Sequence, residues 1–192
     1  MKELSEADAP SPGITPTDYR LLVPREWFRI DLMQDRWRGR LKTFVAQHAE
    51  GRRVPAELTQ NVWATLRNTA EAGRARGAME FFLLTTSRDG GLPASLLVSL
   101  VPLGDTPADP QEFATLLEMR EREDSLPRHV SVVALPAGNA VRVVGPTTLN
   151  VHVLVPGGAG YVTLSFSAPL TGMSGPMGRL CDAIAGSLRW VR

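Results

Sequence analysis

Apolar and polar residues alternate along most of the C-terminal third of this 192-residue chain. Over residues 139–167 the alternation has a period of two, interrupted at Gly145-Pro146 and at the glycine-rich segment 157–160. A period of two predicts β-strands with one buried face, and short glycine- and proline-rich interruptions predict turns. Over residues 172–192 the apolar positions recur at helical spacing, which predicts a closing amphipathic helix. We therefore expect an antiparallel meander followed by a helix.

The preceding part of the chain mixes strands and helices. Residues 19–23 alternate up to Pro24, which predicts a first strand, and residues 27–30 continue as an extended segment. Two apolar stripes at helical spacing predict helices over 33–49 and 55–77, arranged as a hairpin across one face of the sheet. The same patterns predict a third helix over 111–123 and further strands over 79–86, 93–103, 129–135, 139–145, 149–155 and 161–168.

This order of elements predicts the fold class. Helices separated by hairpin-joined strands are typical of an α+β protein, here an antiparallel sheet of about six or seven strands with helices packed on its faces. Residues 18–192 are long enough to form a single α+β domain. Residues 1–17 contain Pro10, Pro12 and Pro16 and few apolar side chains. We therefore expect them to be a flexible leader.

Segments at the two ends of the chain resemble the PsbP-like family. In residues 19–27 a strand with a tyrosine runs into a proline and a tryptophan, YRLLVPREW. In residues 161–166 a strand, YVTLSF, precedes the helical segment 180–188, LCDAIAGSL. This superfamily includes a yeast Ran-binding import factor and LpqN-type lipoproteins. The resemblance implies an α/β/α sandwich and an accessory binding protein with no shared active site, although residues 33–77 predict longer helices than that family has.

Charge and composition narrow the classes of partner. The net charge of +1 gives no overall field toward nucleic acid or anionic lipid, so we expect neither as a partner. Only Lys2 and Lys42 contribute lysine to the 21 basic residues. This bias toward arginine is typical of a GC-rich genome, and an actinobacterial source would fit it.

The location of the protein is inferred from what the sequence lacks. Residues 1–12 are acidic without an apolar stretch, so we expect no signal peptide. No apolar run reaches the roughly 18 residues of a membrane helix. The single cysteine, Cys181, excludes an internal disulfide and is expected to be a small core residue. A cytoplasmic protein is the expectation.

Candidate catalytic residues are few. The histidines are His48, on the inner stripe of the first predicted helix, His129, at the start of a strand, and His152. Cross-strand pairing is expected to bring His152 near Thr163 or Ser165. A half-solvated antiparallel sheet produces such a polar face without any catalysis, and no sharp glycine-flanked turn marks a nucleophile.

Metal and cofactor sites are not predicted. The acidic residues at 118–124 are spaced like a solvated helix end and have no accompanying histidine. The glycines at 157–160 join two strands, and the segment 172–178 lacks the lysine and hydroxyl residues of a phosphate loop. We expect neither a metal nor an organic cofactor.

A set of cations lies on and just after the first predicted helix. An ordinary solvated helix face explains it, and so does a docking surface for an acidic protein partner. Nucleic acid is disfavoured because the nearby aromatics, Trp37 and Phe44, are needed in the core. The candidate partner-binding residues are Arg36, Arg38, Arg40, Lys42, Arg52 and Arg53.

The leading functional hypothesis is a non-catalytic accessory or adaptor protein that binds another protein through this basic set. A link to actinobacterial secretion or envelope assembly is a finer expectation drawn from the resemblance. Two alternatives stay open: a hydrolase or transferase using His152 with Ser165 or Thr163, and a carrier of a small apolar ligand between helices and sheet. A second copy of the chain also stays open as a partner.

Overall fold

The structure is a computed structural model that describes residues 16–50, 54–85, 91–121 and 128–191. Of the predicted leader, only Pro16 and Thr17 belong to these ranges, and the Thr17 amide donates a hydrogen bond to the carbonyl oxygen of Val191. The predicted turn at Asp89-Gly90 lies outside the described residues.

The periodic segments form the strands and helices that their spacing predicts, with small differences in their ends. The helices are α1 (Trp37–Ala49), α2 (Ala56–Ala75), α3 (Pro110–Glu121) and α4 (Pro176–Gly186). The strands are β1 (Asp18–Arg20), β2 (Trp27–Asp31), β3 (Ala78–Leu84), β4 (Ser95–Pro102), β5 (His129–Leu135), β6 (Gly138–Val144), β7 (Thr148–Leu154), β8 (Gly160–Ser167) and β9 (Arg189–Val191). No helix of the described residues is long and apolar enough to cross a membrane.

Seven strands form one antiparallel sheet in the order β2-β3-β4-β8-β7-β6-β5, and β1 pairs with β9 in a separate two-stranded sheet. The C-terminal meander β5 to β8 joins the N-terminal strands through the pairing of β4 with β8. The predicted α+β class and the predicted number of strands are both confirmed.

One face of the large sheet carries a continuous apolar core beneath α4. Leu96, Val98 and Leu164 lie on this face and are fully buried. Cys181 and Ile184 of α4 belong to the same cluster. Cys181 is therefore a core residue, as its place among apolar neighbours predicts.

The other face carries two separate cores under two groups of helices. The α1–α2 hairpin packs on β2 and β3, where Trp37 and Leu66 meet Phe81. Helix α3 packs on β5 and β6, where Phe113 meets Val141. Helices on both faces make the molecule an α/β/α sandwich, and the space between the two cores is left to β4, β8 and β7.

The predicted closing helix is wrong in its last turn. Helix α4 ends at Gly186, and residues 189–191 form β9, which pairs with β1. The Ser187 hydroxyl donates to the Ile184 carbonyl at 2.6 Å and accepts the Leu22 amide at 2.9 Å. The indole N–H of Trp190 donates to the Ala137 carbonyl at 2.7 Å. The bonds to Leu22 and Ala137, together with the pairing of β9 with β1, outweigh a helical spacing that would have continued to Val191.

Two glycines of α4 give a matched test of this packing. A Cβ at Gly178 would lie 2.1 Å from the Met173 carbonyl oxygen, whereas a Cβ at Gly186 would meet nothing within 4 Å. We expect Gly178→Ala to lower the free energy of unfolding by about 1–3 kcal/mol, as overpacking does. Gly186→Ala should leave it unchanged or raise it by up to about 1 kcal/mol, because alanine favours the helix. Urea denaturation of the two variants checks this, and equal effects would contradict the close approach at Gly178.

Candidate functional site

The cations of α1 lie on two opposite sides of the helix. The buried stripe, which includes Trp37 and Leu41, faces the core. At 100° per residue, Arg36 and Arg40 fall on one side of this stripe, and Arg38 and Lys42 fall on the other. The described part of the predicted basic set is therefore divided between two surfaces, and Arg52 and Arg53 lie outside the described residues.

Two of these cations are held by the protein itself. Arg38 donates from Nε and Nη2 to one carboxylate oxygen of Glu71 on α2, at 3.2 and 3.0 Å, and its guanidinium lies 4.5 Å from the Trp37 ring centre. Arg40 donates to the Arg29 carbonyl oxygen at 3.0 Å. Arg36 and Lys42 are exposed and make no ion pair with another described residue.

An apolar groove lies beside Lys42, between α1 and α2. It is open to solvent and has a volume of about 500 Å³. Its floor includes Val45, which is buried, and the half-buried ring of Trp63. No acidic residue lines it among the described residues, so Lys42 carries the only charge at its margin there. The lining residues are Lys42, Val45, Ala46, Ala56, Thr59, Gln60 and Trp63.

A strip of uncharged polar side chains crosses the sheet between the two cores of this same face. Strand register places Ser99, Thr163 and His152 side by side in one row of β4, β8 and β7. In the next row Ser165 lies opposite Asn150. Apolar residues continue both rows on either side, since Leu97 belongs to the α1–α2 core and Val141 to the α3 core. The strip is therefore the part of this face that neither core occupies.

The structure brings His152 to Thr163 and not to Ser165. Nδ1 of His152 and Oγ1 of Thr163 are 3.0 Å apart. The imidazole also packs edge-on against Phe113 of α3, with ring centres 5.3 Å apart. Burial lowers the pKa of His152 to about 4, because the charged imidazolium loses hydration. The ring is therefore neutral at pH 7.

His152 and Thr163 can form a hydrogen bond, but they are poorly suited to act as a catalytic base and nucleophile. A general base works best when its pKa is near the operating pH, and an imidazole with a pKa of about 4 is a weak base at neutral pH. Thr163 is itself buried, at 7% exposure. No third side chain is seen holding His152 among the described residues, since Thr163 is its hydrogen-bond partner there.

The other two histidines occupy the positions that the pattern predicts. His48 is buried on the inner stripe of α1, where its Nε2 lies 3.2 Å from the Gly91 carbonyl oxygen and its ring stacks on Phe44. His129 is exposed at the start of β5.

A second groove, which the sequence did not reveal, lies between the N-terminal segment and β2 and β3. It is open and has a volume of about 680 Å³. On one wall the Tyr19 hydroxyl donates to Glu80 at 2.5 Å, and Arg29 forms an ion pair with the same carboxylate. Burial and this hydrogen bond raise the pKa of Tyr19. The three residues come from β1, β2 and β3, which tertiary packing brings together, and the charges of Arg29 and Glu80 compensate one another.

Cys181 and the acidic residues offer no further chemistry. Burial, and then the negative charge of Asp182, raise the pKa of the Cys181 thiol to about 12, so it is not a nucleophile at neutral pH. Across the described ranges, no cluster of three or more histidine, cysteine or acidic residues has the proximity that a metal ion requires.

Comparison of the chain with protein-family models, with curated proteins and with solved structures finds no match. The resemblance of the chain ends to the PsbP-like family thus stays a prediction.

The low pKa of His152 predicts a pH dependence of stability. The folded pKa of about 4 lies below the usual value of 6.5, so the unfolded chain binds the proton more readily. Stability is therefore fully present above pH 6.5 and is lost as the pH falls toward 4, by at most about 1.4 kcal/mol per pH unit from this group.

Urea denaturation of the wild type and of His152→Gln between pH 7 and pH 4.5 measures this contribution. Carboxylates titrate equally in both proteins, so the difference between them isolates His152. We expect the wild type to lose more stability than the variant over this range. Parallel curves would show that His152 keeps an ordinary pKa in the folded state.

Proposed function

We propose that this protein is a non-catalytic binding protein that docks an amphipathic helix of another protein in the groove between α1 and α2. The observation that carries the proposal is an open apolar groove with a half-buried tryptophan on its floor and, at its margin, a lysine that makes no ion pair with another described residue. Grooves between two helices commonly bind the apolar face of a third helix. Tryptophan is among the residues that contribute most to such contacts.

The chemistry of the groove specifies the partner. Val45, Ala46 and Ala56 offer apolar contacts to an apolar stripe. Lys42 is suited to an acidic residue next to that stripe, because no acidic side chain of the described groove lining competes for it. The proposed ligand is therefore an acidic amphipathic helix. A free apolar molecule is less suited, because the groove is open to solvent and would leave one side of it wet.

The proposed docking surface includes fewer cations than the basic set predicted from the sequence. Arg38 is engaged by Glu71, and Arg40 is engaged by the Arg29 carbonyl, so both support the scaffold. Among the described members of the set, Lys42 is the one that lines the groove. Arg36 lies on the opposite side of α1 and serves as a matched reference, since its reversal changes the net charge equally.

Catalysis by His152 with Thr163 is a second candidate, favoured by their 3.0 Å contact. We rank it lower because the imidazole is a weak base at pH 7. Any turnover found for this protein that survives His152→Ala would end this candidate.

Site-specific photo-crosslinking tests the docking proposal. A photoreactive amino acid at Gln60, which lines the groove, should cross-link one protein in a lysate of the source cells, and the same probe at exposed Gln111 on α3 should not. The cross-linked segment should be an acidic amphipathic helix. Capture of a segment without acidic residues, or equal capture from both positions, would contradict the proposal.

Charge reversal then measures the contribution of Lys42. With a synthetic peptide of the cross-linked segment, we expect Lys42→Glu to weaken binding about tenfold, because an attractive pair becomes a repulsive one. Arg36→Glu should bind within about twofold of the wild type, as expected for a charge outside the contact. Isothermal titration calorimetry at low and physiological salt checks both values. A larger effect of Arg36→Glu would move the docking surface to the other side of α1.

A further inference from the structure

No described segment of the chain pairs with the outer edge of β5. Strand β5 is the last strand of the seven-stranded sheet, and no backbone hydrogen bond among the described residues reaches its outer side. Its seven residues, HVSVVAL, include no charged side chain and no proline. They pair with β6 in an uninterrupted register without a bulge. In an antiparallel strand every second residue directs its N–H and C=O away from its neighbour, so these groups are free to pair with another strand.

The opposite edge of the same sheet is protected by charge. Strand β2 has five residues, and Arg29 and Asp31 are among them. Soluble proteins commonly prevent pairing at edge strands with charges, prolines, bulges or short length. β2 has charge and β5 has none of these features, so the two edges differ in the property that controls association.

The side chains of β5 are apolar on both faces of the strand. Val130 and Val132 contact the core under α3, and Val133 and Leu135 contact the core on the opposite face of the sheet. Three of them, Val132, Val133 and Leu135, remain partly exposed. A strand added at this edge would therefore extend both cores and cover apolar surface, in addition to forming backbone hydrogen bonds.

We propose that β5 pairs antiparallel with β5 of a second copy of this chain, which makes a two-fold symmetric dimer with a continuous sheet. An isologous contact requires a self-complementary surface, and an uncharged strand meets this requirement in any antiparallel register. The nearest inner-strand charge, Arg142 opposite Ser131, forms a bidentate pair with Asp182 at 2.9 and 3.0 Å. Two copies thus bring no uncompensated charge to the axis, whereas a charged peptide strand would find no counter-ion on β5.

Sedimentation velocity on the full chain over a concentration series tests this dimer. The wild type should form a dimer as concentration rises. Ser131→Glu should raise the dimer dissociation constant at least about tenfold, since two carboxylates then meet near the axis. Ser131 is partly exposed in the monomer, so the carboxylate can stay hydrated there. The uncharged Ser131→Gln should dimerise like the wild type, and circular dichroism should show that all three are folded.

Disulfide cross-linking locates the contact independently of Ser131→Glu. Single cysteines at Ser131, Val132 and Val133 sample the middle of the strand, where two-fold pairing places one residue opposite its own copy. Opposed Cα atoms are about 4.5–5.5 Å apart, within disulfide range. The native Cys181 is buried, so the wild type should form no disulfide-linked dimer and serves as the negative control.

We expect at least one of these three variants to form a covalent dimer under mild oxidation, and a cysteine at exposed Thr43 on α1 to form none. A wild type that sediments as a monomer at every concentration overturns the proposal. A dimer that none of the three strand cysteines cross-links also overturns it, because its contact then lies elsewhere. Either result leaves the α1–α2 groove unaffected, since that groove belongs to another face of the molecule.

Discussion

The pairing of β4 with β8 is the contact on which the rest of this structure depends. Eight residue pairs, from Ser95–Ser167 to Pro102–Gly160, join the N-terminal strands to the C-terminal meander. We call this β4–β8 pairing the seam. The α1–α2 hairpin packs on one side of the seam and α3 packs on the other. Because the two strands are separated by a helix and three other strands, closing the sheet costs loop entropy that only the completed cores offset.

The same seam explains the position of the polar strip. On the α4 face, Val98 and Leu164 meet at the seam and the core is continuous. On the other face, Ser99 and Thr163 meet there, between two groups of helices. Both side chains are buried there, and the Thr163 hydroxyl is hydrogen-bonded to His152, as a buried polar group requires. His152 belongs to this arrangement, and its low pKa follows from Phe113 and Thr163 removing water from its ring.

The two surfaces proposed for association lie at opposite ends of the sheet. The groove between α1 and α2 is over the half formed by β2 and β3, and β5 is at the other edge. A dimer through β5 would leave both grooves accessible at its far ends. Two linked sites of this kind bind a partner with two helices, or a clustered partner, more tightly than a single site does.

Much of the fold could be predicted because period and turn residues are local properties. Alternation along residues 139–167 and helical spacing in α1 and α2 depend only on which face of an element is buried, so strands, helices and the α+β class followed from the sequence. Cys181 and His48 fell on apolar stripes and are buried as expected. The proximity of His152 and Thr163 was also predicted, because adjacent strands in a meander must pair.

Only the tertiary structure decided the features that depend on distant segments. Val191 fits the helical stripe as well as a strand, and the pairing of β9 with β1, together with the hydrogen bond from Trp190 to Ala137, selected the strand. The pairing of Arg38 could not be predicted, because Glu71 comes next to it only when α1 and α2 pack together. The sequence by itself thus determined the elements and their buried faces, since each residue's hydrophobicity acts locally. The order of the strands, the divided basic set and the open β5 edge were decided by tertiary packing, because they depend on which surfaces remain after the cores have closed.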